Sequence, residues 1–281
     1  MSIVIGYLNR IRSAVLTGGS WLAAAPLTEL QTRSRARCAR SSNALTTSTQ
    51  FDIDLGSAMA CQGFAIPNHN ASSSAQWRIT AGTAAGGSSL LDSGLINCQQ
   101  VSGSAGVFEW GDTGFWEGTG DQWLRNTHPL IYIAPSQVSA RYWRIAFTDT
   151  GNADGYLQIS PPYVGPVLIT EFMDVYARPE GFTDYATFDR SAAGTTFARE
   201  GLKAKRTELD LARLSEDEAR VFRGIMRRDG ANADILWAPS ATDAVAQQEY
   251  GFVGRITSGL DAIARSSYRV HSARITIEER L

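Results

Sequence analysis

From about residue 47 to 176 the chain alternates apolar and polar positions in short segments, with Gly, Ser, Asn and Pro between them. Phe51, Ile53 and Leu55 face one way and Asp52 and Asp54 the other. Trp77 and Ile79 alternate with Arg78 and Thr80, and Trp143, Ile145 and Phe147 alternate with Arg144 and Ala146. A strand shows this period of two when one face is buried and the other solvated, so these segments predict a half-buried antiparallel sheet. Several such strands with turn residues between them imply a sandwich or barrel.

The alternation fails in ARPEGFTDYATFDRSAA, residues 177–193, which collects Pro, Gly and Asp and predicts a domain boundary or connecting arm. A different pattern follows. Leu209 and Leu211 alternate with Glu208 and Asp210 in a strand that runs into LSEDEARVFRGIMRRDG, where the spacing predicts a helix. Ser215 supplies an N-cap and Glu218, three residues on, closes a capping box; Arg227 and Arg228 suit the negative end of the helix dipole, and Asp229-Gly230 supplies the stop. Val221, Phe222, Ile225 and Met226 form one apolar stripe that must lie on a sheet. Three strands are expected after it, near residues 234–237, 250–257 and 268–278. The expected fold class is therefore mainly β: a sandwich over residues 21–177 and a small barrel or sheet with one flanking helix over 178–281. Residues 1–20 form an N-terminal arm that fits an extra strand of either unit.

Composition narrows the function classes. A length of 281 residues suits one large domain or two ordinary ones, and the change of pattern favours two. A formal charge of -2 gives no global electrostatic case for binding nucleic acid or an anionic membrane. Cys38, Cys61 and Cys98 are odd in number and have no CxxC spacing, so buried thiols are expected rather than a disulfide framework or a zinc site. No apolar run approaches the roughly 20 residues of a membrane-spanning helix. The start, MSIVIGYLNRIRSAVL, lacks a basic region ahead of a long apolar one and reads as no signal peptide, so synthesis in the cytoplasm is expected.

The most distinctive segment is GSAGVFEWGDTGFWEGTGDQW, residues 103–123, where Trp110, Phe115, Trp116 and Trp123 interleave with Glu109, Asp112, Glu117 and Asp121. Three uses are open to it: stacking on sugar rings with carboxylates on the hydroxyls, anchoring a subunit interface, or covering the sandwich locally. Arg33, Arg35 and Arg37 alternate in QTRSRARCAR with Arg40 nearby, which in a strand places three guanidiniums on one face. Ion pairs between subunits or a solvated face fit them better than phosphate contacts in a near-neutral chain. His69, His128 and His271 have no metal-ligand spacing. AGTAAGGSS, residues 81–89, lacks the lysine and the strand-to-helix context of a phosphate loop, and no G-x-S-x-G elbow is present. The expectation is a non-enzymatic chain with no cofactor and no metal.

Three segments in order carry a resemblance: TQFDIDLGSAMACQGFAI, SARYWRIAF and ITEFMDVYA. Together they resemble the strand pairs of the discoidin or coagulation-factor C-type family, a galactose-binding-like jelly roll, in which Leu55 and Gly56 would end a strand in a tight turn. The whole chain, with its LTGGSWLAAAPLTELQTRSRARCARSSNALTTSTQFDIDLG lead-in and strand-helix-strands tail, is similar to distal tail proteins from the tail tips of long-tailed bacteriophages. The resemblance implies a tail-tube-like C-terminal unit whose copies join edge to edge into a ring, hexameric in that comparison. It also implies a place in the virion between the tail tube protein, the tape-measure protein and the tip hub protein, with nucleic acid only as the genome passing through the lumen. In that family the ring domain usually comes first, whereas here the discoidin-like unit precedes it.

Overall fold

The computed structural model describes residues 3–99, 128–170, 180–190, 196–228, 230–258, 263–267 and 270–280. In chain order the strands are β1 (Ile3–Gly6), β2 (Val15–Thr17), β3 (Ala39–Arg40), β4 (Gln50–Ile66), β5 (Gln76–Gly82), β6 (Leu91–Asp92), β7 (Ile96–Asn97), β8 (Leu130–Thr148), β9 (Gln158–Ile159) and β10 (Tyr163–Gly165). They continue as β11 (Val167–Thr170), β12 (Glu180–Asp184), β13 (Thr187–Arg190), β14 (Thr196–Arg199), β15 (Lys203–Leu214), β16 (Ile235–Ala238), β17 (Phe252–Ser258), β18 (Ala264–Ser267) and β19 (Val270–Glu279). Helix α1 (Glu216–Arg228) follows β15, and a short α2 (Ala244–Tyr250) precedes β17.

The first unit is a seven-stranded antiparallel sheet with β10, β4, β8, β5 and β6 in order, β2 beside β4, and β7 beside β5; β3 and β9 form a separate small ladder. The alternation predicts its faces correctly. Phe51, Ile53, Trp77, Ile79, Trp143, Ile145 and Phe147 are all buried in one core, and cross-strand partners such as Ile53 with Trp143 share a face. Phe64 closes on Trp143 with ring centroids 5.1 Å apart. Burying aromatics of this size supplies most of the drive for such a core.

On the opposite face the polar positions pair with one another. Arg144 donates to both Asp52 oxygens at 2.7 and 2.8 Å, and Arg141 does the same to Asp54 at 2.7 and 2.8 Å. Arg78 likewise holds Asp92. The hydrogen bonds from Arg141 keep the half-buried Asp54 carboxyl well acidic, at about 2, and those from Arg78 do the same for Asp92, also at about 2.

Leu55 and Gly56 do not end a strand. Gly56, with φ at +77°, takes a left-handed conformation inside β4, its N–H donating to the Asp54 carboxylate at 2.8 Å, and pairing with β8 resumes at Met59. The extra residues form a bulge, which bends a long strand without terminating it.

The second unit is an eight-stranded sheet ordered β11, β1, β16, β17, β19, β15, β12, with β18 paired to β19. β1 lies between β11 and β16, whereas β2, nine residues further on, belongs to the first sheet, so the first 20 residues serve both units. β11 carries the start of the ITEFMDVYA segment expected to close the sandwich; it pairs with β1 in the second sheet instead. Its placement follows from a seam of buried residues drawn from both sheets, Val4, Ala65, Ile133, Tyr163, Val167, Leu236, Ala238 and Val253, in which the Tyr163 hydroxyl donates to the Tyr7 and Pro166 carbonyls at 2.6 and 2.7 Å.

Helix α1 forms as its capping box predicts. The Ser215 hydroxyl accepts from Glu218 N–H at 3.3 Å, and Glu218 accepts from Ser215 N–H at 2.7 Å. Phe222 and Ile225 are buried, Val221 packs beside them, Met226 is half-buried, and the helix lies on β11, β15 and β19. α2 is a second helix where one was expected: Tyr250 ends it rather than starting a strand, and the Asp243 carboxylate caps it by accepting from Ala246 N–H at 3.0 Å.

Candidate assembly surface

Beyond β12 and β15 the chain continues as a projecting hairpin. β13 pairs with β14, Thr187 opposite Arg199 and Arg190 opposite Thr196, outside the eight-stranded sheet. At its root Tyr185 N–H donates to the Leu202 carbonyl at 3.1 Å. Gly201 lets the two legs close here, because a Cβ at that position would lie 2.2 Å from the Tyr185 carbonyl carbon. Of residues 177–193, expected to be a boundary or connecting arm, the described residues 180–190 supply the first leg of a β-arm.

The side chains on this arm and at its root are unusual for a surface. Phe182, Phe188, Phe197 and Leu202 are 68%, 69%, 61% and 69% exposed, and Tyr185 is 46% exposed. Phe197 stands opposite Asp189 while Phe188 stands opposite Ala198, so the two rings lie on opposite faces of the ladder. Scattered exposed apolar residues need no explanation, but large rings on both faces of one two-stranded ribbon leave neither face resting on its own body. Net charge differs between the legs as well: residues 180–190 carry Glu180, Asp184 and Asp189 against Arg190, and residues 196–205 carry Arg199, Lys203 and Lys205 against Glu200. β12, which roots the arm, is one edge of the eight-stranded sheet, and β11 is the opposite edge among the described residues.

This surface is hidden in the sequence because its Gly- and Asp-containing stretch has the composition of a boundary. The available signal was the recurrence of single aromatics, Phe182, Tyr185, Phe188 and Phe197, in otherwise polar surroundings with high strand propensity.

The other candidates fall elsewhere. Trp110, Phe115, Trp116, Trp123, Glu117 and Asp121, with Glu109 and Asp112, lie outside the described residues. The arginine run is not a strand: Arg33, Arg35 and Arg37 lie in an irregular stretch of bend and turn ahead of β3. Arg33 and Arg37 are exposed, Arg37 reaching Glu29 at 3.5 Å, whereas Arg35 is buried and pairs with Glu279 of the same chain at 3.0 Å, and Arg40 sits 3.4 Å over the Tyr156 ring. The turn geometry wins over alternation because Arg35 ties the sandwich lead-in to the end of β19. Burial lowers the Arg35 guanidinium to about 10, with Glu279 opposing the fall.

His69 is buried: its Nδ1 accepts from Ala71 N–H at 3.1 Å, so Nε2 donates to the His128 carbonyl at 3.2 Å. Burial drives its pKa down to about 4. His271, also buried, links β19 to α1 through Glu216 at 2.8 Å. Cys61 and Cys98 are buried and Cys38 is half-buried, and desolvation raises the Cys61 thiol to about 12. Among the described residues no group of three His, Cys, Asp or Glu could hold a metal, and no helix is long and apolar enough to cross a membrane.

No protein-family model matches the chain, and no curated protein matches it. Among solved structures it is similar to a CBM32 domain from a family 31 glycoside hydrolase of Clostridium perfringens, at 10% identity and TM-score 0.36, covering 57% of this chain and 98% of that one. The lectin binding domain of Lectinolysin complexed with Lewis b matches at 12% identity and TM-score 0.35, over 58% of this chain and 98% of that one. A family 89 glycoside hydrolase from Clostridium perfringens matches at 14% identity and TM-score 0.37, over 56% of this chain and 14% of that one. Likenesses this distant carry no functional weight. In class the fold is mainly β, two antiparallel sheets of seven and eight strands, the second braced by a helix.

Proposed function

We propose that this chain is a structural building block whose copies associate through the second sheet and its arm into a closed ring, in the tail tip of a long-tailed bacteriophage. The observation that carries the self-association is the β-arm with large apolar side chains on both faces, rooted at an open sheet edge. A second copy is the occupant that fits. The edges β11 and β12 lie at opposite ends of one sheet, so a head-to-tail contact uses one on each molecule, and such contacts close into rings when the rotation between copies allows it. The net acidic and net basic legs of the arm give each copy both halves of a charge match. The place in a virion rests on the sequence resemblance, as do the tube, tape-measure and hub partners. Sugar binding, the other reading, depends on residues 103–123, and no described residue favours it.

Negative-stain microscopy of the purified full chain, at high concentration and together with candidate tip proteins, tests the reading. Rings of uniform diameter are expected; separate particles of single-chain size under all these conditions contradict it.

A further inference from the structure

Helix α2, Ala244–Tyr250, is too short to be stable alone, and the last carbonyls of any helix lack partners within it. Here the partners come from both units. The Gln247 carbonyl accepts from Gly251 N–H at 2.9 Å, which closes the last turn. The Gln248 carbonyl accepts from His128 Nδ1 at 3.2 Å, just ahead of β8, so that nitrogen carries the proton. The Gln248 side chain donates to the Cys98 carbonyl, just after β7, at 3.4 Å. The Glu249 carbonyl accepts from the Lys205 ammonium of β15 at 2.8 Å. Gly251 allows the close approach of α2 to β8, because a Cβ there would lie 2.4 Å from Ile131 Cδ1.

Lys205 is held a second time through its backbone. Pairing of β15 with β19 reaches Arg206 opposite Glu278, and one residue further the Glu279 carboxylate accepts from Lys205 N–H at 3.0 Å. The other oxygen of Glu279 accepts from Arg35 of the sandwich lead-in, also at 3.0 Å. Two routes from the sandwich, one through α2 and one through Arg35 and Glu279, therefore end on one residue. That residue stands directly opposite Phe182 on β12, where the arm begins, and cross-strand partners share a face.

Fastening the two units together does not require this joint, because the buried seam around Tyr163 and the Arg12–Asp234 pair already do so. A half-buried lysine on a carbonyl also adds little to folding. What the joint does fix is the place where a ribbon two strands wide leaves the body. Such a ribbon is marginal alone, and a contact surface held in place beforehand binds at lower entropic cost.

We propose that Lys205 is the positioning residue of the assembly surface, through which the sandwich holds the arm in one direction before a second copy meets it. Its purpose rests on the ring reading, whereas the joint itself belongs to the single chain. A change at the sandwich end of α2 is then felt at the arm, although the sandwich does not touch the neighbouring copy.

Hydrogen exchange read by mass spectrometry, on the full chain at a concentration below assembly, follows the amides of residues 180–190 and 196–205. Lys205→Met keeps the stem and deletes the ammonium. Exchange there is expected to quicken about tenfold, the scale of one charge-assisted hydrogen bond, while β4, β5 and β8 keep their natural rates. Lys205→Arg should restore slow exchange, because a guanidinium also donates to a carbonyl. His128→Phe, which keeps a ring but loses the bond to Gln248, should quicken the same amides from the sandwich side. Lys203→Met, which takes the same charge from the same leg, should not. In sedimentation velocity Lys205→Met should need about ten times as much protein as Lys203→Met to reach the same mass. Natural exchange rates at the arm in Lys205→Met or in His128→Phe, or equal loosening in Lys203→Met, overturn the proposal. A natural chain that stays single at every concentration would sink the ring, and the exchange rates would still decide the joint.

Discussion

The sandwich and the arm treat the same residue types in opposite ways. In the sandwich, Trp77, Trp143 and Phe147 are each at most 1% exposed, and the outward Asp52, Asp54 and Asp92 are each held by an arginine. In the arm, Phe188 and Phe197 stand in solvent on a ribbon two strands wide, with Phe182 exposed on the sheet edge at its root. One region satisfies its apolar and charged groups within its own chain, and the other leaves them for something outside it. Stability should therefore reside in the first and association in the second.

The sharpest way to break that division is to remove a large side chain from each region. Trp143→Ala should cost about 3–5 kcal/mol of unfolding free energy, the usual cost of deleting a large aromatic from a packed core. Denaturant titration measures it, and a loss below about 1 kcal/mol would mean the sandwich core is not the main source of stability.

A pH titration sharpens the same point. His69 is neutral in the fold, with its pKa lowered to about 4 by burial, while in the unfolded chain it takes a proton near the usual value of about 6.5. Its contribution is present in full above about pH 6.5 and is lost as pH falls toward 4, by on the order of 3 kcal/mol. Stability measured between these pH values should fall steeply in the natural chain and less steeply in His69→Gln; parallel curves would remove His69 from the account.

At the edge of the second unit, Ser215→Ala should cost about 1 kcal/mol by opening the capping box of α1, read from the same titrations. The smallest effect on folding belongs to the arm. Replacing Phe182, Phe188 and Phe197 together by Ser should change unfolding by no more than about 0.5 kcal/mol, because none of the three is buried in the chain itself.

The contrast also explains what the sequence could tell. Period-two alternation located the sandwich strands and their faces, and Ser215 with Glu218 located α1, because those signals come from neighbours in sequence. The choice of sheet is not local. Nothing in IVIG or VLIT tells that β1 pairs with β11 on one side and with β16 on the other, since that depends on the seam around Tyr163. α2 escaped notice because it has seven residues and buries only Gln247. The alternating arginines misled because a tertiary ion pair, Arg35 with Glu279, outweighs a local pattern. The arm stayed hidden for a related reason: its aromatics meet no partner in the chain, so no periodicity of burial marks them.

Sedimentation velocity over a wide range of protein concentration, run in parallel on the natural chain and on the variant with Phe182, Phe188 and Phe197 replaced by Ser, tests the central claim most directly. The account predicts that the natural chain rises to one discrete multiple of the single-chain mass, while the variant, equally well folded, stays at the single-chain mass throughout. A natural chain that remains single at every concentration, or a variant that assembles as the natural chain does, would contradict it.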